Sequence, residues 1–241
     1  MATDPRVDVA KHIRRPPSIE PKIGTGALML TLYSYWRSSA AYRVRIALNL
    51  KGLAYETVPV HLLKDGGQQH SSDYKALNPQ ELVPLLVDGQ VRIGQSLAII
   101  EYLEEIFPLP SLLPDDPLDR ARVRSLALHV ACDVHPLNNT RVLQYLSGTL
   151  GVDDEAKQQW VRHWIATGLA GFEQGLADYD GQLSLGGRPG YLEACLIPQV
   201  YNARRFACDL GAYPRILQMV ARCEELDAFR NAAPEVQPDA Q

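Results

Sequence analysis

Residues 29–52 read MLTLYSYWRSSAAYRVRIALNLKG, and a change of period inside this stretch decides the fold. Met29 to Tyr35 is a short apolar and aromatic run that suits a buried strand. Trp36, Arg37, Ser38 and Ser39 interrupt it. From Tyr42 to Lys51 the pattern becomes helical, and Gly52 stands where a helix commonly ends in a left-handed cap. A strand that passes through a polar turn into a helix begins an α/β layer.

Downstream, Tyr55 to Val60 alternates as a second strand, and a polar stretch from Lys64 to Asp73 follows. Leu85 to Val87 and Val91 to Ile93 are short apolar strands around Asp88-Gly89, a strong hairpin signal. Ser96 then opens a helix with Leu97, Ile100, Leu103 and Phe107 on one face. Glu101, Glu104 and Glu105 fall largely off it, as a solvated face. Together these elements predict a mixed four-stranded sheet with helices, spanning 29–107. Pro108, Pro110, Pro114 and Pro117 bar a helix from crossing the next segment, so a linker is expected at 108–117. Beyond it the pattern is helical, with Ile165, Leu169, Phe172 and Leu176 as a buried stripe and no convincing strand. The expected architecture is α/β + all-α, with the all-α domain at 118–241. Residues 1–28, rich in proline and without a helical or strand period, read as a disordered or extraneous leader.

Composition narrows the function. The 241 residues are 46% hydrophobic and 22% charged, with a net charge of −4, as in ordinary globular proteins. The charge gives no reason to expect nucleic acid, and no apolar run approaches the ~20 residues of a membrane span. The four cysteines, Cys132, Cys195, Cys208 and Cys223, form no CxxC pair and no zinc-like spacing. No metal is expected, and reduced thiols point to the cytoplasm.

Three places at the ends of elements could carry chemistry. Arg37-Ser38-Ser39 lies at the start of the first helix, where free N–H groups and the helix dipole favour an anion such as a thiolate. A serine there is equally at home as a plain N-cap. Val83-Pro84 precedes a short strand, where a cis bond would turn a backbone edge outward for an extended peptide. Gln95-Ser96 opens the next helix as a second seat for a carboxylate, or again as a simple cap.

Taken together, these segments resemble the zeta-class glutathione transferases, the maleylacetoacetate/maleylpyruvate isomerase family. The resemblance rests on Ser38 to Leu48, Lys64-Asp65-Gly66-Gly67-Gln68-Gln69, Leu77-Asn78-Pro79 with Val83-Pro84, Gln95 to Glu105, and Pro198 to Phe206. It runs from Met29 to about Pro238. Within the class, His135-Pro136-Leu137-Asn138-Asn139 and Asp227-Ala228-Phe229 look most like the bacterial maleylpyruvate isomerases.

The resemblance implies a thioredoxin-like N-terminal domain, a helical C-terminal glutathione-transferase domain and a homodimer. It implies glutathione as cofactor and the cis–trans isomerisation of a maleyl diacid by thiolate addition, bond rotation and elimination. A transferase or dehalogenase acting on small α-halo acids is the alternative. Ser38 is implied as the thiol-activating hydroxyl, with Ser39 beside it. Val83 before a cis-Pro84 would hold the cysteinyl backbone, and Gln95 and Ser96 the γ-glutamyl end. His135 and Asn139 would approach from the helical domain, and Arg37 and Arg205 would face the substrate carboxylates. Three departures stand out: Ala40 where the family usually has Cys, Tyr42 where Trp is common, and Gly190-Tyr191-Leu192-Glu193 where a helix normally opens with Ser or Thr. The missing hydroxyl should cost about 0.5–2 kcal/mol against a good cap, most of which glycine recovers.

Overall fold

A computed structural model describes residues 29–179 and 182–241; the expected leader, residues 1–28, lies outside them. The strand–turn–helix of residues 29–52 is β1 (Leu30–Ser34) followed by α1 (Ser39–Leu50). In β1 Leu30, Leu32 and Ser34 are buried and the residues between them half-buried, the period of two that a strand in a packed layer requires. β1 pairs in parallel with β2 (Tyr55–Pro59) and antiparallel with β3 (Leu85–Asp88), which pairs antiparallel with β4 (Val91–Gly94). The strand order is β2-β1-β3-β4. The parallel pair needs a crossover, which α1 supplies. Gly52, just beyond the Lys51 cap, takes φ +65°, the left-handed turn that ends the helix.

The polar stretch after β2 forms two single turns, at 64–66 and 68–70, and then α2 (Ser72–Leu77). α3 (Ser96–Ile106) returns across the sheet. Val44 and Leu48 of α1 and Ile99 and Leu103 of α3 pack against Leu30, Leu32 and Leu86 of the sheet.

The solvated glutamate face expected on α3 holds only for Glu105. Glu104 is buried, its Oε2 lying 2.7 Å from Lys51 Nζ, and it accepts hydrogen bonds from Leu112 N–H and Ser111 Oγ. Glu101 takes both prongs of Arg124 at 2.8 Å. Helical spacing assigns faces to an isolated helix, whereas these partners come from elements further along the chain.

The helical remainder comprises α4 (Pro117–Leu128), a wide turn at His129–Val134, a tight turn at His135–Asn138, α5 (Thr140–Gly148), α6 (Asp154–Gly175), α7 (Tyr191–Arg205), α8 (Pro214–Glu224) and α9 (Asp227–Arg230). Ile165, Leu169, Phe172 and Leu176 form the expected buried stripe. No strand other than β1–β4 occurs among the described residues. One apolar cluster runs from Tyr42, Ile46 and Ile100 into Leu169, Leu196 and Val200, so both halves share a core.

The absent hydroxyl at Gly190 has a steric cause. A Cβ there would stand 2.4 Å from Leu112 O, the carbonyl that accepts Tyr191 N–H at 2.9 Å. Glu193 caps the helix instead, its Oε2 accepting Gly190 N–H at 2.7 Å, the reciprocal half of a capping box.

The C-terminal segment returns to the first turn. Asp239 Oδ2 accepts the Trp36 N–H at 3.0 Å, and Ala240 packs against the cluster of Tyr35, Trp36, Val60, Tyr74 and Val83. The polar turn that leads into α1 is thereby held by the C-terminal segment.

Candidate active site

Ser38 is the N-cap of α1. Its backbone is extended and its Oγ accepts Ala41 N–H at 3.2 Å. The bond uses an acceptor lone pair and leaves the hydroxyl proton free to be donated outward. Ser38, Ser39 and Ala40 line a cleft of about 350 Å³ together with Tyr35 and Arg37. The facing wall comes from the helical part: His135, Asn138, Asn139, Thr140, Arg141, Gln144, Asn202 and Arg205. A third wall runs through Gln69, His70, Gln80, Glu81 and Val83.

Three arginines line the cleft, Arg37, Arg141 and Arg205. The Arg37 guanidinium lies 4.7 Å from the Trp36 ring and donates to Tyr35 Oη at 3.2 Å. Arg205 lies 4.8 Å from the Phe206 ring. Burial first, and then the positive charge of Arg37, push the Arg205 pKa down. Guanidiniums gathered on one cleft, Arg205 among them disfavoured by the charge of Arg37, make it a receptor for anions. Arg204, one residue earlier and about 100° around the helix, turns away to an ion pair with Glu224.

His135 is pushed down from 6.5 to about 3 by burial and then by the charges of Arg43 and Arg141. It therefore enters the cleft as a neutral imidazole. The wide turn before it sets its position, and Gly168 of α6 makes room for that turn: a Cβ there would lie 2.2 Å from Val134 Cγ2. Asn139 caps α5, its Oδ1 accepting Arg141 N–H at 3.1 Å.

The remaining expected residues divide between the cleft lining and positions outside it. Val83–Pro84 is cis, and among the described residues neither the N–H nor the C=O of Val83 has a hydrogen-bond partner. Val83 lines the cleft, while Pro84, Gln95 and Ser96 do not. Gln95 (φ +67°) reaches it through Gln80, Nε2 donating to Gln80 Oε1 at 2.7 Å. Ser96 is buried, its Oγ accepting from Arg43 Nη1 at 3.2 Å.

Arg141, Gln69 and His70 were not singled out from the sequence. Arg141 follows directly on His135-Pro136-Leu137-Asn138-Asn139, and that adjacency was the available signal. Gln69 lies in the Lys64 to Gln69 segment that carries the family resemblance, which assigned it no site role, and His70 carried no signal, since a polar run between elements looks like any surface loop. The geometry offers a free backbone edge, a hydroxyl donor at a helix start, a buried serine at a second helix start and a cationic wall. That set suits an extended peptide bearing a thiol and a carboxylate, beside a small anionic compound.

Residues 32–111 match the family described as glutathione S-transferase, N-terminal domain. Over 213 residues the chain is 53% identical to a Vibrio cholerae protein named probable maleylacetoacetate isomerase, covering 88% of this chain and 99% of the relative. A solved structure of maleyl pyruvate isomerase, described as a bacterial glutathione S-transferase of the zeta class, superposes with a TM-score of 0.84 at 48% identity, covering 88% of this chain and all of that one. A maleylacetoacetate isomerase of Methylobacterium extorquens AM1, solved with malonate and glutathione bound, gives 0.83 at 42% identity, covering 88% and 99%.

Proposed function

The chain belongs to the zeta-class glutathione transferases, the family of the maleylacetoacetate and maleylpyruvate isomerases, and on that premise we propose that it is a glutathione-dependent cis–trans isomerase of a maleyl diacid, maleylpyruvate or maleylacetoacetate. The observation that carries this reading is the pair Arg37 and Arg205 on one cleft with the Ser38 hydroxyl.

The residues fit glutathione as cofactor. The unpaired backbone of Val83 beside cis-Pro84 would take its cysteinyl part, and Gln95 and Ser96 its γ-glutamyl end, with His135 and Asn139 closing from the helical side. When bound, glutathione supplies a nucleophilic sulfur whose reversible addition makes the double bond rotatable. Ser38, with Ser39 next to it at the helix start, directs a hydroxyl proton at that sulfur and favours its ionised form, from an unperturbed thiol pKa of ~8.5. Arg37 and Arg205 hold the two carboxylates as bidentate partners and stabilise the negative charge that develops between them. Neutral His135 offers a hydrogen bond without adding charge. Ala40 carries no thiol, so the sulfur chemistry rests on glutathione.

The proposal extends to a homodimer in the cytoplasm. The family resemblance supports the first, and four free cysteines suit the reducing compartment of the second. No helix among the described residues is long and apolar enough to cross a membrane.

The test is an ultraviolet assay of the purified protein with maleylpyruvate and maleylacetoacetate, with and without glutathione. Isomerisation that requires glutathione without consuming it is expected. Halide release from α-halo acids, or net consumption of glutathione, with no isomerisation, would sink the reading.

A further inference from the structure

Arg43 and Arg45 leave α1 for the interior two residues apart, and their surroundings differ. Arg45 is satisfied: Nε donates to Ala232 O, Nη1 to Ser34 Oγ and Nη2 to Trp36 O. Arg43, 2% exposed, makes one hydrogen bond, from Nη1 to Ser96 Oγ at 3.2 Å. Its Nε and Nη2 are buried without a partner, and among the described residues no carboxylate pairs with it. The groups that bear on its charge are the Cys195 and Cys132 thiols and the Tyr191 phenol, none of them a carboxylate, and burial pushes the Cys195 thiol and the Tyr191 phenol up. A buried guanidinium with neither counter-ion nor a full set of hydrogen bonds is among the costliest arrangements a fold can hold. As an isolated structural element it has no rationale.

Its position supplies one. Arg43 lies directly behind Ser96 at the N-terminus of α3, and its charge also reaches His135 on the cleft wall. We infer that Arg43 is a positioning residue for glutathione: it occupies the acceptor side of the Ser96 hydroxyl, aims that hydroxyl's proton outward, and leaves the α-carboxylate of the γ-glutamyl residue to serve as its counter-ion. This deepens the proposed function and rests on its assignment of Ser96 to the γ-glutamyl end. Because the guanidinium is walled off from water, its field acts on the carboxylate with little screening, in the same sense as the N–H groups and dipole at the start of α3. The unsatisfied nitrogens are then the stability cost of a preorganised anion site.

The test uses the full chain, glutathione, and the analogue 4-aminobutyryl-cysteinyl-glycine, which lacks only the α-carboxylate of the first residue. Wild type should bind glutathione more tightly than the analogue. Arg43→Met should weaken glutathione about tenfold or more while leaving the analogue within about twofold, the loss of one charge-assisted contact. KM for glutathione should rise with kcat at saturation little changed, and Tm should hold or increase, since removing an unpaired buried ion relieves the fold. Arg43→Lys, which keeps the charge and loses the fork, should show a partial loss with the same selectivity, and it decides the matter if the Met variant does not fold. Ser96→Ala should reproduce the selective loss, and adding Arg43→Met to it should weaken glutathione by less than the two separate losses combined. If neither arginine variant is selective, or if both lower Tm and weaken the two ligands alike, Arg43 is a packing residue and the inference falls. If wild type itself does not distinguish glutathione from the analogue, the Ser96 assignment falls and takes the inference with it. If wild type binds neither, the proposed function itself is wrong.

Discussion

Ser38 is at once an N-cap and a candidate donor, and its single bond to Ala41 N–H makes the two roles compatible rather than alternative. Ser38→Ala should lower turnover by about an order of magnitude or more and cost the helix about 1 kcal/mol. Ser39→Ala should be milder, and full activity in the first variant with loss in the second would reverse the assignment. Arg205→Met should reduce kcat/KM for the diacid about tenfold or more, with glutathione affinity nearly unchanged. Arg204→Met breaks only an exposed pair with Glu224 and should be mild; equal losses from both would remove the diacid's main anchor. His135 gives a pH signature. Its unfolded form takes a proton near pH 6.5 and its folded form only near about 3, so stability is lost as pH falls through that window and is unaffected above it. Comparing urea unfolding at about pH 7.5 and about pH 5, His135→Gln should show a smaller drop than wild type; an equal drop would mean that the ring is protonated in the fold. Ser38 was legible from its place at a helix start, and Arg205 only through the family resemblance carried by Pro198 to Phe206. Arg141 was not, because a cation in a helix's first turn has no local reason to face a cleft.

Among the elements, α7 shows where a local rule is overruled. Its opening residue lacks a capping hydroxyl, and in isolation glycine reads as a poorer substitute for serine. The packing reverses that reading, because Leu112 O occupies the space a Cβ would need and Glu193 supplies the cap from inside the helix. Gly190→Ser should therefore destabilise by about 1–3 kcal/mol, as overpacking does, despite being the better N-cap by propensity. A Tm at or above wild type in that variant would show that the neighbouring backbone yields easily. β1, α1, the β3–β4 hairpin and α3 were legible because period, turn residues and caps all agreed. The wide turn at His129–Val134 was not, since its only local trace is Gly168, thirty-odd positions later in α6 and unremarkable in a helical run (about 1 kcal/mol of lost propensity).

Across the whole molecule, the proline-rich segment expected as a linker at 108–117 also carries contacts that join the two halves. Lys51 closes α1 and donates from Nζ to Phe107 O at 2.7 Å and Pro110 O at 3.1 Å, while its ion pair with Glu104 is buried. Glu104 in turn holds Leu112 N–H, the residue whose carbonyl receives the start of α7. One charged pair thus ties the sheet layer, the connecting segment and the central helix of the second half. Burial pushes the Glu104 carboxyl up, but Lys51, Ser111 and the Leu112 amide together hold it below its ordinary value. Its contribution is present above the unfolded pKa and is lost as pH falls through the folded one. No local pattern announces such a pair: Lys51 looks like a helix-end cation and Glu104 like a surface charge. Lys51→Met should cost about 3–5 kcal/mol, because it leaves Glu104 buried and unpaired. Adding Glu104→Gln removes that stranded charge and keeps a carbonyl for Leu112 N–H. The double variant should therefore be more stable than Lys51→Met alone, as measured by denaturant midpoint. Losses that simply add would show that the two side chains act separately, and that the halves are held by their shared apolar core instead.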